Sequence, residues 1–298
     1  MRVFLTGATG FIGSHIVPEL VGAGHQVLGM TRSDAGEAAL RAAGAEPWRG
    51  DLEDPDSLAR GAAQADAVIH TAFDHNFAAF AANCEKDRRV IAAMGEALKG
   101  SDRLLIITSG VGMGASGPGE LAVEDVFDTH HANPRAASEQ AGVALSEAGV
   151  KVAVMRLPQV HDTHKQGLIT PLIDLARQKG VCAYVGEGLN RWSAGHVSDV
   201  ARLYRLAVEK GKAQRYHAVA EEGVSMREVA ETVAKGLRVP AVSIPIEEAG
   251  EHFGWLGMFA GWDMRASSAL TRQRLGWSPT GPGLIEDLAA MDYAAKAA

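Results

Sequence analysis

The strongest structural signal in the chain lies at residues 6–13, which read Thr6-Gly7-Ala8-Thr9-Gly10-Phe11-Ile12-Gly13. A short apolar segment that is typical of a strand, Arg2–Thr6, precedes it, and a helix is predicted to begin in it, over Phe11–Val21. A strand, a glycine-rich turn and a helix in this order indicate a dinucleotide-binding unit. In such a unit the first glycine allows the tight turn, the second lets a pyrophosphate approach the backbone, and the third allows close helix–sheet packing. The N–H groups at the start of the helix would bind that pyrophosphate.

Short strands and helices alternate over the next 140 residues or so. Strands are predicted at Val27–Thr31, Ala45–Arg49, Ala67–Thr71, Arg103–Thr108 and Val152–Arg156, and helices at 34–43, Asp56–Ala63, Phe77–Leu98 and Pro134–Ala148. This order predicts an α/β fold with a Rossmann-type, doubly wound parallel sheet and a smaller C-terminal substrate-binding region. We expect residues 1–160 to form the dinucleotide-binding domain, with residues 194–217 returning to it. Residues 161–193 and 218–298 are expected to form the substrate-binding region.

Composition excludes several classes of function. The 298 residues are 47% hydrophobic and 22% charged, with a net charge of −7, so a nucleic-acid-binding role is disfavoured. No apolar segment approaches the roughly 18 residues of a membrane span, and the early glycine motif leaves no room for a signal peptide. Cys84 and Cys182 are far apart and match no metal motif. We expect a cytoplasmic monomer or homodimer with buried free thiols and no bound metal.

Six segments of the chain match, in the same order, sequence motifs of one enzyme family. They are residues 6–15, Gly50-Asp51-Leu52, His70-Thr71-Ala72, Ile107-Thr108-Ser109-Gly110, 195–201 and 267–279. Together they resemble the extended branch of the short-chain dehydrogenase/reductase family, which is NAD-dependent epimerase/dehydratase-like. The resemblance implies that the cofactor is bound by Gly7, Thr9, Gly10, Phe11, Ile12, Gly13, Asp51, Leu52, Thr71, Ala72, Leu157 and Pro158. Asp51 could instead be only a turn-forming residue.

The end of the second strand favours NADP over NAD. An NAD site usually carries an acidic residue there, to bind the ribose hydroxyls. Between Ser14 and Ser33 the only acidic residue is Glu19, inside the first predicted helix. Arg32 could pair with a 2′-phosphate and Ser33 could donate to it. The alternative for Arg32 is a solvated surface residue.

The catalytic tyrosine of the resembled family is missing. The family uses a Tyr four residues before a Lys, but none of the four tyrosines here (Tyr184, Tyr204, Tyr216 and Tyr293) has a Lys at that spacing. Alignment on Glu139 places His131 at the Tyr position and Arg135 at the Lys position. Arg135 could bind the ribose but cannot relay a proton. His131 could be the acid, or it could be a loop histidine, because Asn133 and Pro134 predict that the helix begins after it.

Further residues are candidates for binding the substrate. Ser109, at the end of the fifth strand, could hydrogen-bond a substrate carbonyl. The other candidates are Phe73, Val111, His161, Trp192, Trp255 and Phe259. The last two belong to an aromatic segment, Ala249–Ala266, which would suit a flat apolar substrate or a core face.

These features predict NADPH-dependent reduction of a ketone on a small, largely apolar molecule, aromatic or polyketide in type. Within the resembled family the chain is most similar to atypical ketoreductases that lack the tyrosine. One alternative is a nucleotide-sugar epimerase or dehydratase. The other is an inactive NADP-binding sensor that binds partner proteins, against which Ser109 and the C-terminal region argue.

Overall fold

The computed structural model describes residues 1–294. Their strands are β1 (Arg2–Thr6), β2 (Gln26–Thr31), β3 (Glu46–Arg49), β4 (Ala67–His70), β5 (Leu104–Gly110), β6 (Lys151–Leu157), β7 (Gln159–His161), β8 (Cys182–Val185), β9 (Arg191–His196), β10 (Arg215–His217), β11 (Glu221–Ser225) and β12 (Ala241–Ile244). Their helices are α1 (Gly13–Gly22), α2 (Asp34–Ala42), α3 (Pro55–Ala63), α4 (Phe80–Glu96), α5 (Ala136–Glu147), α6 (Ile169–Lys179), α7 (Val197–Lys210), α8 (Met226–Leu237), α9 (Ala249–Phe253), α10 (Gly257–Ala260), α11 (Ala269–Leu275) and α12 (Leu284–Ala290).

Seven strands form one parallel sheet, in the order β10-β6-β5-β4-β1-β2-β3. The order reverses beside β1, where β2 pairs on one side and β4 on the other. Reversal opens a crevice at the carboxyl ends of the strands, and this is where such sheets bind ligands. The predicted Rossmann-type, doubly wound sheet is therefore confirmed.

Apolar side chains cover both faces of this sheet. Ile16 and Leu20 of α1 pack with Leu203 and Tyr204 of α7 on one face. On the other face, α3, α4 and α5 contribute Leu58, Val90, Ile91, Met94 and Leu145. Burial on both faces explains why the strands are almost continuously apolar.

The smaller part of the molecule contains a three-stranded sheet, β11-β9-β7, and a two-stranded sheet, β12-β8. Its own core joins α6, α8, α9, α10 and α12 to these strands. Within the segment expected to return to the first domain, α7 packs on α1 and β10 extends the large sheet, whereas β9 joins the small sheet. No helix within residues 1–294 is both long and apolar enough to cross a membrane.

Two predicted helix starts were wrong by a turn or less. The helix after the glycine motif begins at Gly13 rather than Phe11, because a turn closed by the Gly10 N–H and the Gly7 carbonyl precedes it. The helix expected from Phe77 to Leu98 begins with a separate 3₁₀ turn, Phe77–Ala79, which the Asn76 side chain caps.

Candidate active site

A cleft of about 1780 Å³ opens at the carboxyl ends of the large sheet and continues beneath the smaller part. It exceeds the roughly 300–1,000 Å³ of a pocket for one drug-sized ligand, so it has room for a dinucleotide and a second molecule. Its lining includes these sequence-predicted residues: Gly7, Thr9, Gly10, Phe11, Ile12, Gly13, Arg32, Asp51, Leu52, Thr71, Ala72, Phe73, Ser109, Val111, His131, Arg135, Leu157, Pro158, Trp192, Trp255 and Phe259.

The glycine turn has the geometry that a pyrophosphate needs. Gly7 has φ of +67°, and a Cβ there would lie 2.8 Å from the Ala72 nitrogen. A Cβ at Gly13 would overlap the Gly7 carbonyl oxygen. Among the described residues, no hydrogen bond occupies the backbone N–H of Phe11 or Ile12 at the start of α1. Close backbone approach and free N–H groups fit a dinucleotide at this turn.

The end of β2 carries a free cation. Arg32 is exposed and lines the cleft, and no ion pair of the described chain involves its side chain. Neighbouring Arg49 is bound to both Asp34 and Glu37, and Arg41 also pairs with Glu37, so these two carboxylates already have cationic partners. Ser33 does not line the cleft; its Oγ caps α2 by accepting from the Gly36 N–H.

Asp51 lies just beyond the end of β3, the strand that pairs with β2. One of its carboxylate oxygens accepts the Glu53 N–H, 3.0 Å away, which is the turn-forming role. Asp51 also lines the cleft, so the turn would not prevent contact with a ligand.

Ser109 lies at the end of β5 and lines the cleft. The residue is 3% exposed, and its Oγ has no hydrogen-bond partner in the structure. Buried polar groups are nearly always paired, and an unpaired hydroxyl costs about 1–3 kcal/mol. A ligand oxygen within reach would relieve this cost.

Arg135 is fixed in place by the groups around it. Its Nη1 lies 2.7 Å from Asp87 Oδ2, and its Nη2 donates to the Thr108 carbonyl over 2.7 Å. The guanidinium also lies 4.3 Å above the Phe73 ring. The result is a positive charge that is held at the cleft wall near Ser109.

Asp87 is the residue that the sequence reasoning missed here. Burial alone would raise its pKa, but Arg135, His70 and Ser138 together hold the pKa below its ordinary value. His70 Nε2 lies 2.9 Å from Asp87 Oδ1, and His70 Nδ1 lies 2.7 Å from Thr6 Oγ1. The available signal was spacing, because Asp87 falls on the same buried face of α4 as Val90, Ile91 and Met94.

His131 precedes α5, as predicted, and lines the cleft. Its Nδ1 accepts the Asn133 N–H over 3.0 Å. A backbone N–H can only donate, so neutral His131 carries its proton on Nε2. Asn133 does not cap α5 directly, because the cap position falls at Arg135, whose N–H bonds to the Asn133 side chain.

None of the four tyrosines, all within the described residues, lines the cleft. Tyr204 is fully buried beneath it, and its hydroxyl lies 2.6 Å from Thr108 Oγ1. Burial raises the pKa of Tyr204 well above its ordinary value. The absence of the Tyr-x-x-x-Lys pair is therefore not offset by a tyrosine from elsewhere in the chain.

The structure places His161 away from the cleft lining, contrary to its predicted substrate contact. The side chain is fully buried, and its Nδ1 lies 2.7 Å from Asp287 Oδ2 on α12. Burial lowers its pKa, although Asp287 acts in the opposite direction. The physical reason is that β7 turns this side chain toward α12, where a carboxylate pairs with it.

Several aromatic side chains form one wall of the cleft. Trp192 is 2% exposed and donates its indole N–H to the Trp262 carbonyl over 3.2 Å. Trp255 is 39% exposed and stacks face to face on Phe77. The sequence reasoning identified Trp255 and Phe259 but missed Phe77, which lies some 180 residues earlier in the chain.

A buried ion pair supports the floor of the cleft. Arg156 and Glu139 are both fully buried, and two N–H donors of Arg156 reach the carboxylate over 2.8 Å. Arg156 also donates to the Val126 carbonyl, in a loop whose residues line the cleft. Glu139, the residue that aligned α5 with the resembled family, therefore has a structural role.

Comparison with known proteins agrees with this geometry. A model described as the NAD dependent epimerase/dehydratase family matches residues 3–219. An uncharacterised protein of Schizosaccharomyces pombe is 46% identical over 295 residues, 98% of this chain and 100% of the relative. A 2-alkyl-3-oxoalkanoate reductase of Stenotrophomonas maltophilia is 30% identical over 262 residues, 81% of this chain and 77% of the relative.

Solved structures show the same fold. A UDP-glucose 4-epimerase of Thermus thermophilus, in complex with NAD, superposes with a TM-score of 0.74 at 21% identity and covers 99% of both chains. The matching family model spans most of the chain, and the cleft has a cradle for a nicotinamide dinucleotide. The chain therefore belongs to the NAD dependent epimerase/dehydratase family, the extended branch of the short-chain dehydrogenases/reductases.

Proposed function

We propose that the protein is an NADPH-dependent reductase of a ketone on a small, largely apolar molecule. The observation that carries the proposal is the buried, unpartnered Ser109 hydroxyl in a cleft that the glycine turn and the aromatic wall also line. A carbonyl oxygen bonded to that hydroxyl would place its carbon in the cleft beside the cofactor. The relative from Stenotrophomonas maltophilia, a 2-alkyl-3-oxoalkanoate reductase, supports a carbonyl substrate by analogy.

A bound nicotinamide supplies a hydride, and residues of the chain would position the carbonyl group and stabilise the charge on its oxygen. Ser109 would donate to the carbonyl oxygen, and this hydrogen bond strengthens as negative charge develops there. Arg135, held by Asp87, would keep a positive charge near the same oxygen and near the cofactor ribose. Leu157 and Pro158 are apolar residues of the cleft lining and would limit the access of water.

NADP is the proposed cofactor because of Arg32. Its guanidinium is exposed, lines the cleft and has no ion pair within residues 1–294. A 2′-phosphate would give it a partner with charge-assisted hydrogen bonds, whereas NAD has no such group.

The alkoxide that forms when a ketone accepts a hydride must also be protonated, and the chain has no tyrosine in the cleft to supply the proton. His131 could donate from Nε2, and water or the substrate itself are the alternatives. A phenol beside the ketone is already oriented, so it avoids the entropic cost of recruiting an external acid. We favour substrate assistance over His131.

A hydroxyaryl ketone and its O-methyl ether test this source. Substrate assistance predicts that O-methylation abolishes reduction by the wild type, while His131→Ala reduces the phenol at near the wild-type rate. If His131→Ala is inactive and the ether is reduced normally, the histidine is the acid.

Two other functions are weighed against reduction. A nucleotide-sugar epimerase needs cations for the substrate diphosphate. Of the cleft cations in the described chain, Arg135, Arg265 and Lys86 are each paired with a carboxylate. Lys165, which has no ion pair there, lies 5.8 Å from the Phe11 ring in the glycine turn. Lys165 is therefore close to the proposed cofactor site. The carboxylate partners of the other three cations disfavour the binding of a second diphosphate, that of a nucleotide sugar.

A cofactor-binding sensor is favoured only by the absence of a tyrosine in the cleft. The test is NADPH oxidation, followed by nicotinamide absorbance, with a panel of apolar ketones that includes hydroxyaryl ketones. A reductase oxidises NADPH only when a ketone is present. Tight NADPH binding with no turnover on any ketone would support the sensor instead.

A further inference from the structure

Two aromatic rings from distant parts of the chain meet at the mouth of the cleft. Phe77, in the 3₁₀ turn before α4, stacks on Trp255, in the turn between α9 and α10. Their centroids are 4.2 Å apart and their planes differ by 7°. Both residues line the cleft, so this pair joins its two walls.

The pair is the centre of a continuous row of rings. Toward the reaction site, Phe80 lies 5.7 Å from Phe77 and 6.3 Å from Phe73, the ring beneath Arg135. On the other side of the pair, Phe259, which is 8% exposed, lies 6.5 Å from Trp255. Each of these rings lines the cleft, so an apolar aromatic path leads from the mouth to the region of Ser109 and Arg135.

Core packing does not account for Trp255. The same segment already buries Phe253 and Leu256, which are 5% and 4% exposed, in the core of the smaller part. Trp255 is 39% exposed. A large aromatic ring that is left accessible at a cleft is typical of a binding surface.

Charged side chains near the rings are paired with each other. Asp263 pairs with Arg265 over 2.8 Å, and Asp87 pairs with Arg135 over 2.7 Å. A ligand at this end of the cleft therefore gains from ring stacking rather than from a net charge of its own.

We propose that Phe77 and Trp255 are specificity-determining residues, which select a neutral carbonyl compound with a flat aryl ring over a puckered alicyclic one. The inference deepens the proposed reductase by naming its substrate class, and it rests on that function for the carbonyl. The aryl ring stacks on the Phe77–Trp255 pair while the carbonyl group points along the row of rings toward Ser109. A saturated ring of equal size buries similar apolar area but cannot stack in the same way.

The experiment compares naphthyl methyl ketone with decalinyl methyl ketone, which have the same heavy-atom skeleton. Equilibrium dialysis measures their dissociation constants with and without saturating NADP⁺, so the readout needs no turnover. We expect the wild type to prefer the aryl ketone by roughly tenfold. Trp255→Leu and Phe77→Leu should each lower that ratio by roughly threefold or more, whereas Trp255→Phe, which keeps a ring, should retain most of it.

Trp48→Phe is the matched control, because Trp48 packs on Phe4 outside the cleft lining. It should leave the ratio unchanged. Circular dichroism checks that each variant folds, and the pair of leucine variants gives two independent tests. The proposal is overturned if the wild type shows no aryl preference, or if both leucine variants keep it.

Failure of the reductase itself gives a different result. An aryl preference that depends on Trp255, without NADPH oxidation on any ketone, would refute the reductase and leave the aryl site standing. Equal dissociation constants for the two ketones, in a protein that oxidises NADPH with a hydroxyaryl ketone, would refute the aryl selectivity alone.

Discussion

At the scale of single residues, the cleft contains a buried polar group and a charged group that have no partner within residues 1–294. Ser109 has a buried hydroxyl without a partner, and Arg32 has a guanidinium without a carboxylate. A carbonyl oxygen of a ligand would pair with the Ser109 hydroxyl, and a 2′-phosphate would pair with the Arg32 guanidinium. Each therefore gives a prediction in which the effect on function exceeds the effect on stability.

Ser109→Ala should lower kcat by about a hundredfold, the effect of removing one donor to a developing oxyanion. NADPH affinity should change little, because the hydroxyl would contact the carbonyl rather than the cofactor. The free energy of unfolding should not fall, because no hydrogen bond of the folded protein is lost. Steady-state kinetics and urea titration measure these quantities. Ser146→Ala, on α5 and outside the cleft lining, is the control, and an unchanged kcat for Ser109→Ala would exclude the serine from the reaction.

Arg32→Ala should weaken NADPH binding by about 1.5–3 kcal/mol, the value of a hydrogen bond to a charged group. NADH binding should change by much less, because NADH lacks the 2′-phosphate. Fluorescence titration with both cofactors measures the difference. Arg41→Ala, a surface change on α2, should affect neither cofactor. Equal losses for NADPH and NADH would contradict the assignment of Arg32.

At the scale of elements, the reaction site depends on how α4 and α5 pack on the sheet. Asp87 on α4 holds Arg135, at the start of α5, while His70 of β4 holds Asp87 from behind. These two contacts join a strand and two helices through the buried side chains of His70 and Asp87, so the position of Arg135 is set by packing rather than by a flexible loop.

Asp87→Asn should lower the free energy of unfolding at neutral pH by about 3–5 kcal/mol, because it leaves the Arg135 charge without its carboxylate. The pKa of Asp87 lies below its ordinary value of 3.8 in the folded protein. The unfolded chain therefore takes up the proton first, so this stability is present above pH 3.8 or so and is lost as the pH falls below it. The difference in stability between wild type and Asp87→Asn should shrink in acid. Urea titrations at several pH values measure it, and a difference that stays constant would contradict the pairing.

Elements that depend on neighbouring residues could be predicted from the sequence. Contacts between residues that are far apart in the chain could not. Gly7, Gly10 and Gly13 were recognisable because a turn, a close approach and a helix–sheet contact each require the absence of a side chain. Phe77 and Asp87 carry no such local signal, since their partners are distant in the chain. His161 was misassigned because a histidine after a strand can face a cleft or a helix, and only the tertiary packing decides.

At the scale of the whole molecule, the two parts are joined by a C-terminal segment that returns to the large sheet before entering the smaller core. Trp277 packs in the core formed with α1 and α7, whereas Leu284 and Leu288 of α12 pack in the smaller core. Between them, the Asp199 carboxylate at the start of α7 accepts the backbone N–H groups of Thr280 and Gly281. Asp199 thus fixes the crossing of the chain between the two cores.

Asp199→Ala should therefore destabilise the whole molecule rather than a local loop. Asp199 is 1% exposed, and its oxygens lie 2.7 Å from the Gly281 nitrogen and 2.6 Å from Arg202 Nη2. Its removal leaves two N–H groups unpaired, which costs about 1–3 kcal/mol for each group that water cannot reach. We expect a loss of roughly 2–5 kcal/mol in the free energy of unfolding, measured by urea titration.

The control variant, Asp102→Ala, removes a carboxylate that is 96% exposed, and it should cost less than about 1 kcal/mol. NADPH affinity per folded molecule should stay unchanged in both variants, because neither residue lines the cleft. A loss for Asp199→Ala no larger than that for Asp102→Ala would show that the crossing is held by Trp277 and α12 alone.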